Sequence, residues 1–185
     1  MVPRLKVPNT FDPIDETIDE AWEPLRSNDY ANKVFYAASE AANFSMLWHG
    51  LGLARAIVLR DPKIALRISA ALGIESALVN GPIKSLFLRE RPDVEERPMQ
   101  LRQPKTSSFP SGHASAAAVA AAALGETLTP QARRSRLALR GLAAIVATSR
   151  IHVQIHHATD VAAGAVTGVV LTKLMRPVLR RVFAR

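Results

Sequence analysis

Phe109-Pro110-Ser111-Gly112-His113-Ala114-Ser115-Ala116-Ala117-Ala118-Val119-Ala120-Ala121-Ala122-Ala123-Leu124 is the stretch on which the fold turns. A Pro-Ser-Gly-His turn runs straight into an alanine-rich segment, Ala114 to Leu128, that reads as a helix. The start of such a helix leaves free backbone amides and the positive end of its dipole pointing outward, and Gly112 lets an anion approach the main chain closely. Small side chains along the helix permit close approach of neighbouring helices, as membrane bundles use and as tight soluble bundles also do.

Working outward, four more helices emerge. The first apolar stretch runs from Lys33 or Val34 to about Leu59, embeds Glu40, His49 and Arg55, and closes at Arg60-Asp61-Pro62. The second runs from Ile64 to about Leu88, the fourth from Leu137 to Ile155, and the fifth from Asp160 to Met175, ended by Pro177. Only the first two reach the roughly 20 residues that cross a bilayer. Ahead of them, Phe11, Ile14, Ile18, Trp22 and Leu25 recur at helical spacing among six acids, giving an amphipathic helix that either lies on a surface or caps the core. No segment alternates like a strand. The expected fold is an all-α, membrane-embedded bundle of about five transmembrane helices, residues 34–185, preceded by an interfacial segment, residues 1–33.

Composition narrows the chemistry. The 185 residues favour one domain. No cysteine is present, which excludes disulfides, thiolate nucleophiles and cysteine-held zinc. A net charge of +8 suits an anionic partner. Aromatic residues make up only 5% and do not interleave with the cations, which argues against nucleic acid. Met1 to Thr10 lacks the apolar core of a cleavable export signal.

Three clusters carry the function: Lys84 with Arg91-Pro92; Pro110-Ser111-Gly112-His113; and Ser149-Arg150 with His156 and Asp160. If adjacent helices run antiparallel, all three land at one end of the bundle. Lys84, Arg91 and Arg150 supply charge-assisted donors for a phosphate, beside the amides at Ser111 and Gly112. Of the two imidazoles, one attacks phosphorus and the other protonates the departing oxygen. Asp160 follows His156 by four residues, so on a continuous helix the carboxylate meets that ring and fixes its tautomer. His156 is therefore the nucleophile and His113 the acid, with no metal and no cofactor required. A competing arrangement puts His152, His156 and Asp160 on one helix face as zinc ligands, which leaves Ser149 and Arg150 unexplained. His152 and His157 read as packing residues. His49 and Glu40 read as satisfied within their own helix or as lining a head-group pocket. Arg89, Arg97, Arg102 and Lys105 read as solvated loop charges.

Lys84-x6-Arg91-Pro92, Pro110-Ser111-Gly112-His113 and Ser149-Arg150-x5-His156-x3-Asp160 together resemble the three-part signature of the type 2 phosphatidic acid phosphatase superfamily. The resemblance spans residues 84 to 160. It implies a helical, metal-independent phosphatase with His156 as nucleophile, His113 as leaving-group acid, Asp160 as orienter, and Lys84, Arg91, Ser111, Gly112 and Arg150 as phosphate ligands. His157-Ala158-Thr159 departs from the aromatic residue and proline of many members. The substrates implied are lipid phosphates at the bilayer: polyprenyl diphosphate, phosphatidylglycerophosphate, or a polyprenyl-phosphoryl sugar phosphate such as decaprenylphosphoryl-phosphoribose phosphate. The alternatives are a soluble acid phosphatase or vanadate haloperoxidase-like relative, and a noncatalytic basic membrane protein. Arg60, Lys63, Arg133, Arg134, Arg136, Arg176, Arg180, Arg181 and Arg185 crowd the end opposite the clusters. The positive-inside rule makes that end cytoplasmic and turns the catalytic mouth to the extracytoplasmic side of a multi-pass cell-membrane protein.

Overall fold

The computed structural model describes residues 4–93, 101 and 104–183. Pro98, Arg97, Arg102 and Arg185 lie outside them. Most of the described residues are helical: α1 Asp12–Arg26, α2 Asp29–Ala41, α3 Met46–Leu59, α4 Pro62–Leu78, α5 Lys84–Leu86, α6 Gly112–Gly125, α7 Arg133–His152 and α8 Ala158–Phe183. One short exception is a parallel pairing of β1, Leu5–Lys6, with β2, Phe87–Leu88.

The alanine-rich helix α6 is the hub. It packs on α8, α7 and α4, and its buried face is almost all small: Ala114, Ser115, Ala116, Ala117, Val119 and Ala120. Two glycines on α8 complete this seam. A Cβ on Gly164 would run into the carbonyl oxygen of Ser111, and one on Gly168 into that of Ser115. The four-residue spacing puts both glycines on one face, so the backbones approach as close as the missing methyls allow. Larger side chains fill the space around α4, where Trp48, Ile68, Leu72 and Val79 are almost fully buried.

Two expectations need correction. The stretch from 33 to 59 is two helices, because Phe44 and Ser45 take φ of 52° and 59°, a left-handed conformation that no right-handed helix continues through. Neither α2, with 13 residues, nor α3, with 14, therefore has spanning length. Second, Pro177 sits inside α8 instead of ending it. The proline forfeits one ladder hydrogen bond, and the helix runs on to give 26 residues, long and apolar enough to cross a membrane, as does the 25-residue Pro62–Leu86 unit.

The Pro62–Leu86 unit is not straight. Gly81 leaves helical geometry, with φ −94° and ψ −107°, and Pro82 lacks an N–H, so the ladder opens into a π-helical turn, Val79–Ile83. That turn delivers Lys84 to the end of the bundle where α6 and α8 begin.

Many large apolar side chains face outward. Met46, Leu53, Ile57 and Val58 of α3, Leu66 of α4, and Val166, Leu174 and Val182 of α8 are each more than half exposed. Patches of this kind mark protein-interaction or membrane-facing surfaces. By contrast α1 turns Ile18 and Trp22 inward against Ala114, Ile151, Ala158 and Val161, so it caps the catalytic end of the bundle.

Candidate active site

The catalytic end is built from helix termini. Ser111 is the N-cap of α6, its hydroxyl accepting from the Ala114 amide at 3.5 Å, and its own amide donates to the carbonyl of Asp160 at 2.9 Å. That second bond ties the starts of α6 and α8 together. At the end of α7 the chain folds back through Gln154, at φ 53°, and the amides of Ile155 and His156 both donate to the Arg150 carbonyl at 3.1 Å. The fold-back sets His156 beside Arg150.

His156 is buried and lies in this turn, off any helix. Its Nδ1 is 3.4 Å from Oδ2 of Asp160, and Nη1 of Arg91 donates to its Nε2 at 3.2 Å. Burial is the main influence on the ring. Despite the Asp160 hydrogen bond, it pushes the pKa from 6.5 to about 3, helped by Arg91 and Arg150. The imidazole is therefore neutral, with its proton on Nδ1 and the Nε2 lone pair facing guanidinium charge. The expected His156–Asp160 contact forms, though by another route than a shared helix. Asp160 stands in the first turn of α8 and reaches back, accepting from the His157 amide at 3.0 Å as well.

Arg150 is buried at 3% exposure, and its Nη1 donates to the Ser39 hydroxyl while its Nε has no partner among the described residues. His113 shares the same residue: its Nε2 lies 3.3 Å from the Ser39 carbonyl. The charges of Arg150 and Lys84 act on His113, which also has the His156 ring within electrostatic reach, and those of Arg91, Arg150 and Asp160 act on Lys84. Both rings and all three expected cations thus converge. Gly112 has Asn80 as a neighbour, 3.0 Å from where a Cβ would stand, so this glycine also makes room for the kinked helix. Lys84 and Arg91 line an open cleft of about 1100 Å³ together with Arg4, Lys6 and Lys105. A smaller cleft of about 310 Å³ reaches His156 along α1.

The zinc arrangement does not form among the described residues. His152 turns Nδ1 to the Trp22 indole N–H at 3.2 Å and Nε2 to Asn32 at 2.8 Å, away from His156. His49 bonds across to Ser69 of α4 at 2.9 Å and not within its own helix, while Glu40 is exposed and its charge acts on Arg150. Arg89 is no solvated loop charge. Its Nη1 donates to Asp160 Oδ1 at 2.6 Å and its Nη2 to Asp15 Oδ2 at 2.6 Å. Burial works against its charge, but the two carboxylates outweigh burial and raise its pKa above the ordinary arginine value. Sequence reading also missed Asp15, Ser39 and Asn80. For Asp15 a signal existed, since it shares a helical face with Ile18 and Trp22.

The sequence model of the PAP2 superfamily matches residues 64–183. The chain belongs to the PAP2 superfamily. Among solved structures, the chain is similar to the transmembrane PAP2-type phosphatidylglycerolphosphate phosphatase from Bacillus subtilis, with a TM-score of 0.70 and 24% identity over 94% of this chain and 88% of that one. The likeness establishes the helical PAP2 fold. No curated protein sequence matches significantly. Within the PAP2 match fall Lys84, Arg91, Ser111, Gly112, His113, Arg150, His156 and Asp160.

Proposed function

We propose that this PAP2 protein is a lipid phosphatase of the cell membrane that hydrolyses a phosphomonoester or diphosphate through a phosphohistidine. The observation that carries the reading is the line Asp160–His156–Arg91, which pairs a carboxylate with Nδ1 and a guanidinium with Nε2 of one neutral ring. In the first step Nε2 of His156 attacks phosphorus, the bond from phosphorus to the lipid oxygen breaks, and His113 gives that oxygen a proton. The Ser39 carbonyl accepts from Nε2–H of His113, so Nδ1 is the nitrogen that transfers it; His113 enters the step as the imidazolium, having taken that second proton onto Nδ1 from the bound phosphate monoanion. In the second step water attacks phosphorus, His113 takes a proton from the water, and His156 leaves as neutral imidazole. Asp160 keeps Nδ1–H of His156 oriented throughout and stabilises the charge on the phosphorylated ring. Lys84, Arg91, Arg150 and the amides at Ser111 and Gly112 hold the oxygens on which charge builds up.

The substrate reading is a lipid phosphate presented at the bilayer surface: phosphatidate, phosphatidylglycerophosphate, polyprenyl diphosphate or a polyprenyl-phosphoryl sugar phosphate. Residues 1–33 form an interfacial segment and residues 34–185 the catalytic bundle. The mouth faces the extracytoplasmic side, because exposed cations concentrate at the other end. A reporter fused after Arg185 should read cytoplasmic. Phosphate release from that four-member panel by the purified protein, with and without His156→Ala, tests the chemistry. The variant should fold and release no phosphate above background; turnover that survives the change rules out the phosphohistidine.

A further inference from the structure

Asp160 has two oxygens and two employers. Oδ2 faces His156, while Oδ1 accepts from Arg89, whose Nη1 also donates to Thr159 Oγ1 at 2.8 Å. The other arm of Arg89 grips Asp15 on α1, and Asp15 in turn accepts from the Thr159 amide at 2.8 Å and the Thr159 hydroxyl at 2.7 Å. Asp15, Arg89 and Asp160 have side-chain exposures of 6%, 9% and 0%. One guanidinium thus bridges two buried carboxylates, one from the amphipathic N-terminal helix and one from the reaction centre.

We propose that Arg89 and Asp15 are positioning residues that hold the Asp160 carboxylate, and through it the His156 ring, so that α1 is a working part of the active site. Without the guanidinium, Asp160 can turn about its side-chain torsions, and its charge is balanced by fewer neighbours. A ring free to rock about Nδ1 points Nε2 away from phosphorus for part of the time, which lowers turnover more than binding. The relay rests on His156 being the nucleophile.

Charge changes at its two members act on His156 with opposite sign. The groups facing that ring are Asp160 of α8, Arg91 of the segment after β2, Arg150 of α7 and His113 of α6. Lys84 of α5 acts on Asp160 and His113, and His157 sits beside the ring with its Nε2 toward the Glu90 carbonyl. From α1, the carboxylates of Asp12, Asp15, Glu16, Asp19 and Glu20 line the smaller cleft with it. Removing the cation of Arg89 from this set favours protonated His156. Removing the anion of Asp15 disfavours it.

The test uses full-length protein in mixed lipid–detergent micelles, with the panel member that the wild type hydrolyses fastest, followed as kcat and KM against pH. Arg89→Gln should lower kcat at least tenfold with KM within threefold, and should move the acid limb of the rate profile to higher pH. Arg89→Lys should recover part of the loss. Asp15→Asn should lower kcat less and leave the limb where it is or lower. The relay is overturned if Arg89→Gln, or Arg89→Lys and Asp15→Asn where the glutamine variant does not fold, keep kcat within twofold of wild type. It is also overturned if the loss lies wholly in KM, or if the limb rises in Asp15→Asn. Turnover surviving in His156→Ala overturns the nucleophile and the relay together, whereas an inert His156→Ala beside a fully active Arg89→Gln overturns the relay alone.

Discussion

Arginines crowd both ends of this bundle, and the two ends treat them differently. At the end that holds the candidate site Arg89 and Arg150 keep 9% and 3% exposure, and Arg89, Arg91 and Arg150 are held by specific groups: Asp15, Asp160, Ser39, His156 and the carbonyls of Pro104 and Ile155. At the far end Arg67, Arg176 and Arg180 share a single acid, Glu126, at 3.9, 2.8 and 3.4 Å, with the side chains of Arg176 and Arg180 about half exposed. A screened pair in water contributes little, whereas a buried charge that loses its partner is left uncompensated. One residue type grips buried groups at one pole, while at the other Arg176 and Arg180 stay half in solvent around one acid.

Four measurements press on that contrast. Arg150→Ala takes a buried donor from the proposed phosphate site and should cut phosphate release by about 10²- to 10³-fold, the loss typical of a missing oxyanion donor; an unchanged rate would remove Arg150 from that site. Gly164→Ala introduces a methyl where Ser111 stands, so it should lower the unfolding free energy by about 1–3 kcal/mol and depress activity as the turn shifts. Denaturation in detergent checks the first effect and phosphate release the second. His156 gives a pH signature. Its pKa is lowered on folding, to about 3, so below about pH 6.5 the unfolded chain takes up a proton that the folded chain refuses. Its contribution to stability is therefore lost as pH falls through the window from 6.5 to about 3, by at most about 1.4 kcal/mol per unit. His156→Asn, with nothing to titrate there, should show a flatter loss between pH 7 and 5. Smallest of all, Arg180→Ala at the far pole should change stability by less than about 0.5 kcal/mol, read as the thermal midpoint.

Much of the site was legible because its residues lie at helix ends, and helix ends are what apolar periodicity and turn residues report. Ser111, Gly112 and His113 open α6, Arg150 stands in the last turn of α7, and Asp160 in the first of α8. The relay was not legible. Arg89 lies 74 positions from Asp15 and 71 from Asp160, and a charge in a proline-rich loop carries no local mark of a distant partner. Ser39 escaped for another reason, since one of its two contacts runs through a carbonyl that every residue possesses. The break after α2 was hidden by the apolar residues flanking it, although Asn43 and Ser45 are the kind of residue that turns favour. Pro177 misled in the opposite direction, because a helix packed among other helices tolerates a missing donor that an isolated one does not.

The seam between α6 and α8 has one last consequence. Ser111 belongs to the turn that carries His113, Asp160 to the turn that faces His156, and a main-chain bond joins them. What fixes the gauge of the reaction chamber is therefore the thinness of Gly164 and Gly168, two residues with no chemistry of their own. Redesign of this enzyme for a bulkier phosphate has a dial there, one helical turn and more beneath the chamber floor, that shifts the turns above it while replacing none of the proposed reacting side chains.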